Sequence, residues 1–547
     1  MKITKYKLLG TFTLSAISAS VVYAQHAKPN ILFIAVDDLK PILGCYGDPI
    51  AKTPNIDLLA DKGAIFTSGY CQVALSGPTR VGLLTGMYPD EVRVWAMRAQ
   101  GDNFRINNPF IVSLPQNFKE NGYETAGIGK IFDSRTVDAK SDSLSWSVPF
   151  INYQNYFDPN FPRPFGNFYQ NPATWALVEQ YRTEYRATGA PSSGEYAYIK
   201  SRVFPSSDFA DVPDRAYSDG AIAEGVIQFL NTYNNSKPLF LAVGFQRPHL
   251  PFASPKKYWD LYNKNAIPLA AFRGTATDSP AYAYVTSGNY QEVGEYTDIP
   301  PLMSFTDIGT PILPEDKQRE LIHAYYASVS YVDAQIGKIL DALKQKGMDQ
   351  NTILVLWGDQ GFHLGDHNLW GKATNFENAT RVPFIIYNPQ FAHKEVKTPV
   401  EFVDFFPTLC EMASIPKPDN VKGKSLISLI NGQAITSNHY EYAVSQYARD
   451  SKMGYSIRNE KYRYTIWIGW SGKQYDLALT EKPIMDTTMV YAEELYDYVN
   501  DPFETKNVAA HVGYQSNLNK MKSYWREFAK EHMNVKVVKV NKQNHVL

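Results

Sequence analysis

One short stretch of the chain combines the residue types that an oxyanion site requires. Ser76 precedes a Gly-Pro turn, Arg80 follows four positions later, and an apolar run leads to Thr85 and Gly86. Because proline is favoured in the first turn of a helix, we predict a helix that starts near Pro78. Ser76 would then lie at the helix N-terminus, where free N–H groups favour negative charge, and Arg80 would return to the same face. The alternative is a capped helix with a surface arginine.

Acidic and amide side chains follow two other segments that are typical of buried strands. The unbroken apolar run 31–36 ends at Asp37-Asp38, and a similar run, 353–358, ends at Asp359-Gln360. Adjacent carboxylates at such a position repel each other, so they need a cation, basic partners or good solvation. The alternative for the first pair is a helix cap in a strand-to-helix turn. Oxygen ligands of this kind suit Ca²⁺ or Mg²⁺ rather than zinc.

The elements that position these residues alternate between strand and helix. Two more predicted strands, 123–129 and 239–244, lead to Lys130 and towards His249. Strands that alternate with helices predict an α/β fold with a large, mostly parallel sheet sandwiched by helices. Ligands bind beyond the carboxyl ends of the strands in such sheets. We therefore expect one edge of the sheet to gather Asp37, Asp38, Lys130, His249, Asp359 and Gln360.

Length and patterning indicate two folded units. The chain has 547 residues, with 20% charged residues and a net charge of -1, so it offers no overall attraction for nucleic acid. We predict an α/β catalytic domain over 25–438. Alternating segments after residue 439 predict a smaller C-terminal α+β domain, 439–547, that contains an antiparallel sheet. No segment after the N-terminal one is long and apolar enough to span a membrane.

The N-terminus and the cysteines both bear on the compartment. Lysines precede the apolar stretch 8–22, and Ala24 ends a small-residue site, so residues 1–24 are predicted to be a signal peptide. The protein is then exported, to the periplasm or beyond the cell. The three cysteines, Cys45, Cys71 and Cys410, do not form a disulfide scaffold. We interpret them as buried free thiols, with a Cys45–Cys71 pair as the alternative.

Together these motifs resemble the type I, formylglycine-dependent sulfatases of the alkaline phosphatase-like superfamily. Residues 76–86 are similar to the signature Cys/Ser-x-Pro-x-Arg followed by Thr-Gly, and the resemblance covers nearly the whole mature length. Other family positions match Asp37-Asp38, Gly129-Lys130, Arg247-Pro248-His249, Asp359-Gln360 and Lys372. The segments 130–132, 247–252 and 364–367 resemble the iduronate-2-sulfatase-like branch, whose bacterial members act on polysaccharides. The resemblance implies an alkaline phosphatase-like fold.

The resemblance also implies a role for each matching residue. Ser76 would be oxidised to formylglycine (3-oxoalanine) by a radical maturase, so an unmodified chain would be nearly inactive. Arg80 and Lys130 would hold the sulfate oxygens, and His249 or Lys372 would stabilise or protonate the leaving sugar oxygen. The implied cofactor is Ca²⁺, in preference to Mg²⁺. Its implied ligands are Asp37, Asp38, Ser76, Asp359 and Gln360.

Several residues near the predicted site have alternative roles. His363 and His367 could contact substrate or make structural hydrogen bonds, and Arg98 could bind an anionic group or lie on a solvated surface. Asp133 stands where related sulfatases have a histidine. Either Asp133 takes the base role, or another residue such as His363 reaches in, or the role is absent.

The sequence thus predicts an exported sulfuric ester hydrolase that removes sulfate from a carbohydrate such as a 2-O-sulfated uronic acid. A phosphodiesterase or phosphonate monoester hydrolase of the same superfold is one alternative. An unmatured protein that binds sulfated glycans is another. The aromatic-rich insertions 146–196 and 272–305 could stack on sugars, although packing within the loops explains them equally and is preferred.

Overall fold

The structure is a computed structural model of the full chain. It describes residues 28–97, 103–234, 236–284, 291–300, 313–433, 441–471 and 485–533. The predicted signal peptide, Arg98 and most of the predicted domain boundary lie outside these ranges, and so does part of the second insertion.

A mixed, mostly parallel sheet forms the centre of the α/β unit. Its strands are β1 (Asn30–Val36), β2 (Ala64–Tyr70), β3 (Glu124–Gly129), β5 (Leu239–Phe245), β7 (Thr352–Gly358), β8 (Arg381–Tyr387), β9 (Lys394–Val396) and β10 (Val400–Glu401), while β4 (Ser207–Ala210) pairs with β6 (Phe252–Pro255). The order is β10-β2-β8-β7-β1-β5-β3, and β9 pairs with β2. Only β8 runs antiparallel to its neighbours in this sheet. The predicted mostly parallel sheet is confirmed.

Helices cover both faces of this sheet. They are α1 (Pro54–Lys62), α2 (Ser76–Thr85), α3 (Pro89–Val92), α4 (Phe104–Asn107), α5 (Leu114–Glu120), α6 (Pro172–Ala187), α7 (Glu195–Lys200), α8 (Ser218–Thr232), α9 (Lys256–Trp259), α10 (Glu315–Gln345), α11 (Glu377–Thr380), α12 (Phe405–Met412) and α13 (Ile427–Ile430). Alternate side chains of β1 enter two separate cores, with Leu32 and Ile34 on the side of α8 and α10 and Ile31 and Phe33 on the side of α2 and α12. This two-sided burial explains the unbroken apolar run.

The long helix α10 starts earlier than the sequence pattern indicated. The apolar spacing of the chain predicts a helix over 323–346, whereas the observed helix begins at Glu315 after Pro314. Two acidic residues, Glu315 and Asp316, lie in its first turn, where they favour the helix dipole. Leu321 is buried, so the apolar face of the helix extends into the added segment 315–322.

The C-terminal unit is an antiparallel sheet covered by one helix, as predicted. Its strands β11 (Ala443–Arg449), β12 (Lys452–Arg458), β13 (Tyr462–Trp470) and β14 (Met485–Asp497) pair in sequence order, and α14 (Gln515–His532) packs on them. Tyr88 and Trp95 of the α/β unit join the same apolar cluster. The two units therefore share a core.

Two further predictions concern the described part of the chain. No described helix has the length and hydropathy that a membrane crossing needs. The three cysteines are free thiols, as predicted, and Cys71 and Cys410 are buried.

Candidate active site

Helix α2 places Ser76 at its first position, close to the predicted start. Leu75 is extended before it, and Gly86 closes the helix with a φ of 64°. Gly77 packs closely, because a Cβ there would lie 2.6 Å from the Met97 side chain. The Ser76 hydroxyl donates to Asp37 Oδ1 at 3.0 Å and accepts from Gln360 Nε2 at 3.0 Å. The helix N-terminus and the strand-end acids thus meet at this hydroxyl.

Arg80 is a buried part of this network, so the alternative of a surface arginine is wrong. Its Nε donates to Asp359 Oδ2 at 2.8 Å, and its Nη2 lies 3.3 Å from Asp37 Oδ1. Nη1 donates to the carbonyls of Lys130 and Ile131. The planar guanidinium therefore joins three segments of the sheet edge.

The carboxyl ends of β1, β3 and β7 bring the remaining predicted residues together. Carboxylate oxygens of Asp37, Asp38 and Asp359 lie within 4.8 Å of one another. Lys130 Nζ donates to Asp37 Oδ2 at 2.5 Å. The parallel register of β1 with β7 places Val36 beside Gly358, so the acidic pairs that follow the two strands are neighbours.

The donor set at this edge fits a hard divalent cation. Three buried carboxylates converge there, and the buried Gln360 Oε1 has no hydrogen-bond partner. A buried amide oxygen that lacks a hydrogen-bond partner and lies beside carboxylates is suited to coordinate a cation. Gln360 Nε2, by contrast, donates to Asp38.

The charges at the site shift the pKa values of these acids in different directions. Burial favours protonation of Asp37, but Lys130, His249 and Arg80 outweigh it and hold the pKa of this carboxyl well below its ordinary value. Burial raises the pKa of Asp38 despite the neighbouring Lys372. Burial also raises the pKa of Asp359, to about 7, against the effect of Arg80. Ionisation of all three carboxyl groups at these separations costs electrostatic free energy, which a bound cation would offset.

His249 and Lys372 lie on the other side of Asp38. Lys372 Nζ donates to both Asp38 oxygens at 2.6 and 2.7 Å. His249 Nδ1 lies 2.7 Å from the Leu250 carbonyl, and its Nε2 lies 3.9 Å from Asp38 Oδ2. Arg247 donates to the carbonyl of His249 and so fixes the loop. Burial and Lys372 lower the pKa of His249, but Asp38, Glu292 and Asp37 outweigh them and raise it.

Glu292 belongs to this group, and sequence reasoning did not find it. Its Oε1 lies 3.0 Å from His249 Nε2, and its Oε2 lies 3.3 Å from Lys372 Nζ. Burial disfavours its charge, yet Lys372 and His249 lower its pKa to about 2. The residue stands in the aromatic-rich insertion without a strand end or a motif beside it, so the sequence held no signal for it.

A cleft of about 480 Å³ opens beside Asp37, Lys130 and His249. Three partly exposed aromatic side chains, Phe150, Tyr153 and Phe168, contribute to its lining. Other aromatic residues of the same insertion, such as Trp146 and Tyr169, are buried. The first insertion thus both packs on itself, as preferred, and faces the cleft.

Asp133 lines this cleft but is tied to Arg135. Its carboxylate accepts from Arg135 Nε and Nη2, each at 2.8 Å, and from the Arg135 backbone N–H. Burial alone would raise the pKa of Asp133, but Arg135 and Lys130 lower it to about 2. The carboxylate is therefore ionised and already paired.

His363 and His367 have buried surroundings that favour the alternative of structural hydrogen bonds over substrate contact. His363 Nε2 lies 2.8 Å from Thr374 Oγ1, and burial holds its pKa well below the ordinary value. His367 stacks on Phe376, and its Nε2 lies 3.2 Å from the Glu504 carbonyl. Neither ring lines the cleft. His363 is therefore enclosed beside Thr374 and lies outside the lining of this cleft.

Two family models match the chain. The sulfatase model matches residues 29–415, and a model described as N-sulphoglucosamine sulphohydrolase, C-terminal, matches residues 365–531. Iduronate 2-sulfatase of Mus musculus is 31% identical, with 92% of this chain and 94% of that protein covered. A sulfatase of Formosa agariphila is 30% identical, with 96% of this chain and 92% of that protein covered.

Solved structures show the same architecture. Phosphonate monoester hydrolase of Agrobacterium radiobacter has a TM-score of 0.66 at 21% identity, with 92% of this chain and 96% of that chain covered. A structure described as a 2-O GAG sulfatase has a TM-score of 0.61 at 22% identity, with 93% of each chain covered. The fold is thus that of sulfatases and phosphonate monoester hydrolases. Because the family model spans most of the chain and encloses the strand-end acids, Ser76 and Arg80, this protein belongs to the sulfatase family and is a sulfuric ester hydrolase.

Proposed function

We propose that this sulfatase is an exported enzyme that removes a sulfate ester from an anionic carbohydrate such as a 2-O-sulfated uronic acid. Ser76 would be the precursor of its formylglycine, made by a radical maturase. The contact of the Ser76 hydroxyl with Asp37, beside Arg80, carries this proposal. Relatives named iduronate 2-sulfatase and Delta 4,5-hexuronate-2-O-sulfatase, the latter from Bacteroides thetaiotaomicron at 26% identity, support the choice of sugar.

The residues that would hold Ca²⁺ are Asp37, Asp38, Asp359 and Gln360, together with the modified Ser76. When bound, the cation would supply positive charge for a sulfate oxygen and for the nucleophile. Mg²⁺ is the less favoured ion, because it demands stricter octahedral geometry than these side chains from three separate segments impose.

The side chains of the site would have separate roles in cleavage of the sulfate ester. Arg80 and Lys130 carry positive charge to the side where Ser76 lies, and they would stabilise the sulfate oxygens as charge redistributes. The hydrate of the Ser76 aldehyde would supply one hydroxyl for attack and a second for release of sulfate. His249 and Lys372, on the far side of Asp38, would meet the leaving oxygen.

The cleft has the lining that a charged sugar requires. Phe150, Tyr153 and Phe168 offer apolar ring surface, and Lys130 and Arg247 offer positive charge. Apolar sugar faces stack on aromatic rings, whereas a carboxylate or sulfate needs a cation. This combination favours a uronate or a second sulfate beside the scissile group.

The first test concerns maturation of Ser76. The protein is expressed with and without a serine-type radical maturase, and the Ser76 peptide is analysed by mass spectrometry. We expect loss of two hydrogen atoms in the matured sample only, with sulfate release that scales with the modified fraction. Ser76→Ala should abolish both. An unmodified Ser76 in fully active protein would contradict the proposal, and an unmodified Ser76 in protein from the native host would favour a glycan-binding role.

The second test concerns the reaction. Paired aryl sulfate and aryl phosphate substrates are compared on matured protein, because the phosphate ester carries up to one more negative charge. We expect kcat/KM to favour the sulfate. A much faster phosphate reaction would instead favour a phosphoester or phosphonate hydrolase. Defined saccharides with a single 2-O-sulfate on a uronate then test the sugar, with 6-O-sulfated glucosamine as the control.

A further inference from the structure

Glu292 is fixed by the loop that carries Lys372. It opens a short 3₁₀ turn, Glu292–Glu295, whose Val293 is buried. The preceding Gln291 side chain accepts from the Trp370 N–H at 2.7 Å, and the Val293 N–H donates to the Trp370 carbonyl at 3.3 Å. Trp370 lies two positions before Lys372. The turn and the loop therefore hold Glu292 and Lys372 in one fixed relation.

The carboxylate of Glu292 joins two cationic side chains. Its Oε1 lies 3.0 Å from His249 Nε2, and its two oxygens lie 3.4 and 3.3 Å from Lys372 Nζ. The other ring nitrogen of His249 lies 2.7 Å from the Leu250 carbonyl. Both nitrogens thus face acceptors, which is the arrangement that a doubly protonated imidazole satisfies.

Without an anion between them, His249 and Lys372 would repel each other. Asp38 also contacts Lys372, but its charge would be drawn to a bound cation at the acidic cluster. Among the described residues that contact both cationic side chains, Glu292 is then the carboxylate whose charge stays available. Its proximity to two cations keeps it ionised.

We propose that Glu292 is a positioning residue: it is the counter-ion that holds His249 and Lys372 together on the leaving-group side of the sulfate. This inference rests on the proposed roles of those two residues. When the bond between sulfur and the leaving oxygen breaks, the electron pair stays on that oxygen. A proton from His249 or Lys372 then neutralises it.

The need for this proton depends on the leaving group. A nitrophenolate is stable as an anion and needs little help, whereas a sugar alkoxide is strongly basic. Loss of Glu292 should therefore affect sugar and alkyl sulfates far more than activated aryl sulfates. A change that merely loosens the fold would lower all of these rates alike.

The test compares Glu292→Gln with the wild type on matured protein, using aryl sulfates of graded phenol pKa and an alkyl sulfate. The extent of Ser76 oxidation and the Tm are measured for each sample. We expect kcat to fall by about tenfold or more for the poorest leaving group and by less than about threefold for 4-nitrophenyl sulfate, since positioned proton donors contribute about 10²–10⁴-fold. Glu295→Gln, an exposed change on the same turn, should match the wild type.

Glu292→Asp serves as the second variant, because it keeps the charge while shortening the side chain. It should recover part of the rate for poor leaving groups, and it decides the question if Glu292→Gln does not fold. An equal loss across all leaving groups would overturn the inference, as would a variant that is faster than the wild type. A matured wild type that hydrolyses no sulfate ester would overturn the proposed function, and this inference with it.

Discussion

At the scale of single residues, the site is a set of interlocked charges. Asp37 alone meets Ser76, Arg80 and Lys130, and Asp38 meets Lys372 and Gln360. Each of these buried groups therefore has a charged or hydrogen-bonding partner, which offsets part of the cost of burying it away from water. The hydrogen bonds at such a site depend on the shape of each charged side chain as well as on its charge.

Arg80→Lys tests this dependence on shape. Lysine keeps the charge, but its ammonium cannot reach Asp359, Asp37 and two carbonyls from one position. We expect kcat to fall by about 10²-fold or more, because removal of one stabilising donor costs about 10²–10³ in kcat. Steady-state rates on fully matured protein measure this.

The matched control for that change is Arg105→Lys. Arg105 forms a similar pair with Asp142, at 2.8 and 2.9 Å, and neither residue lines the cleft. It should lower the Tm while leaving kcat near the wild-type value. If Arg80→Lys keeps wild-type kcat, then the proposed role of Arg80 at the sulfate is wrong.

At the scale of elements, the buried strands of the central sheet end in the residues of the candidate site. One strand of the C-terminal sheet instead buries a carboxyl group within the sheet. Glu494 on β14 accepts from Trp467 Nε1 at 2.7 Å and from the Tyr496 hydroxyl at 2.6 Å. Burial outweighs these two hydrogen bonds and raises its pKa from 4.5 to about 7. The protonated form thus suits the folded sheet.

The sign of the resulting pH dependence follows from that shift. As pH rises above 4.5, the unfolded chain loses the Glu494 proton while the folded chain keeps it until about pH 7. The free energy of unfolding therefore falls across this window, by about 3 kcal/mol for this group at 1.36 kcal/mol per pKa unit. Glu494→Gln accepts the same hydrogen bond from Trp467 and cannot ionise.

We expect Glu494→Gln to raise the Tm relative to the wild type at pH 8 and to change it little at pH 4.5. Thermal unfolding at both pH values measures this. Glu493→Gln on the same strand is the control and should keep the wild-type difference between the two pH values, since its side chain is partly exposed. A lower Tm for Glu494→Gln at pH 8 would contradict the expectation.

At the scale of the whole molecule, the cation site joins segments that are far apart in the chain. Its candidate ligands come from β1, the start of α2 and the end of β7. Mutual repulsion of three carboxylates opposes folding, so a bound cation should stabilise the entire α/β unit. Because the ligands come from distant segments of the α/β unit, the thermal stability of the protein should report on cation binding.

Ca²⁺ should therefore raise the Tm, and EGTA should lower both the Tm and the activity. At a hundredfold excess over Kd, the gain in the free energy of unfolding is about 2.7 kcal/mol. Asp359→Asn should reduce the response, Glu295→Gln should keep it, and Mg²⁺ should give a smaller one. A Tm that does not respond to Ca²⁺ in the matured wild type would count against the proposed ligands.

Local pattern in the sequence was enough for the strands β1, β3, β5 and β7, for the helix that begins at Ser76 and for the acidic residues at the strand ends. These features depend on side-chain alternation and on neighbours within a turn, which the sequence displays directly. The rule that ligands bind at the carboxyl ends of parallel strands then brought the acids together. Domain order followed from the same patterns.

Tertiary structure alone decided the rest. Four features had no local signature in the sequence. They are the antiparallel direction of β8, the pairing of Asp133 with Arg135, the burial of His363 and His367, and the position of Glu292. The contact of Lys372 with Asp38 spans 334 positions, and that of Glu292 with Lys372 spans 80. Such pairs depend on the path of loops between elements, which periodicity does not encode. The sequence determined which functional side chains lie at the carboxyl edge of the sheet. The tertiary structure determined which charged partners position those side chains.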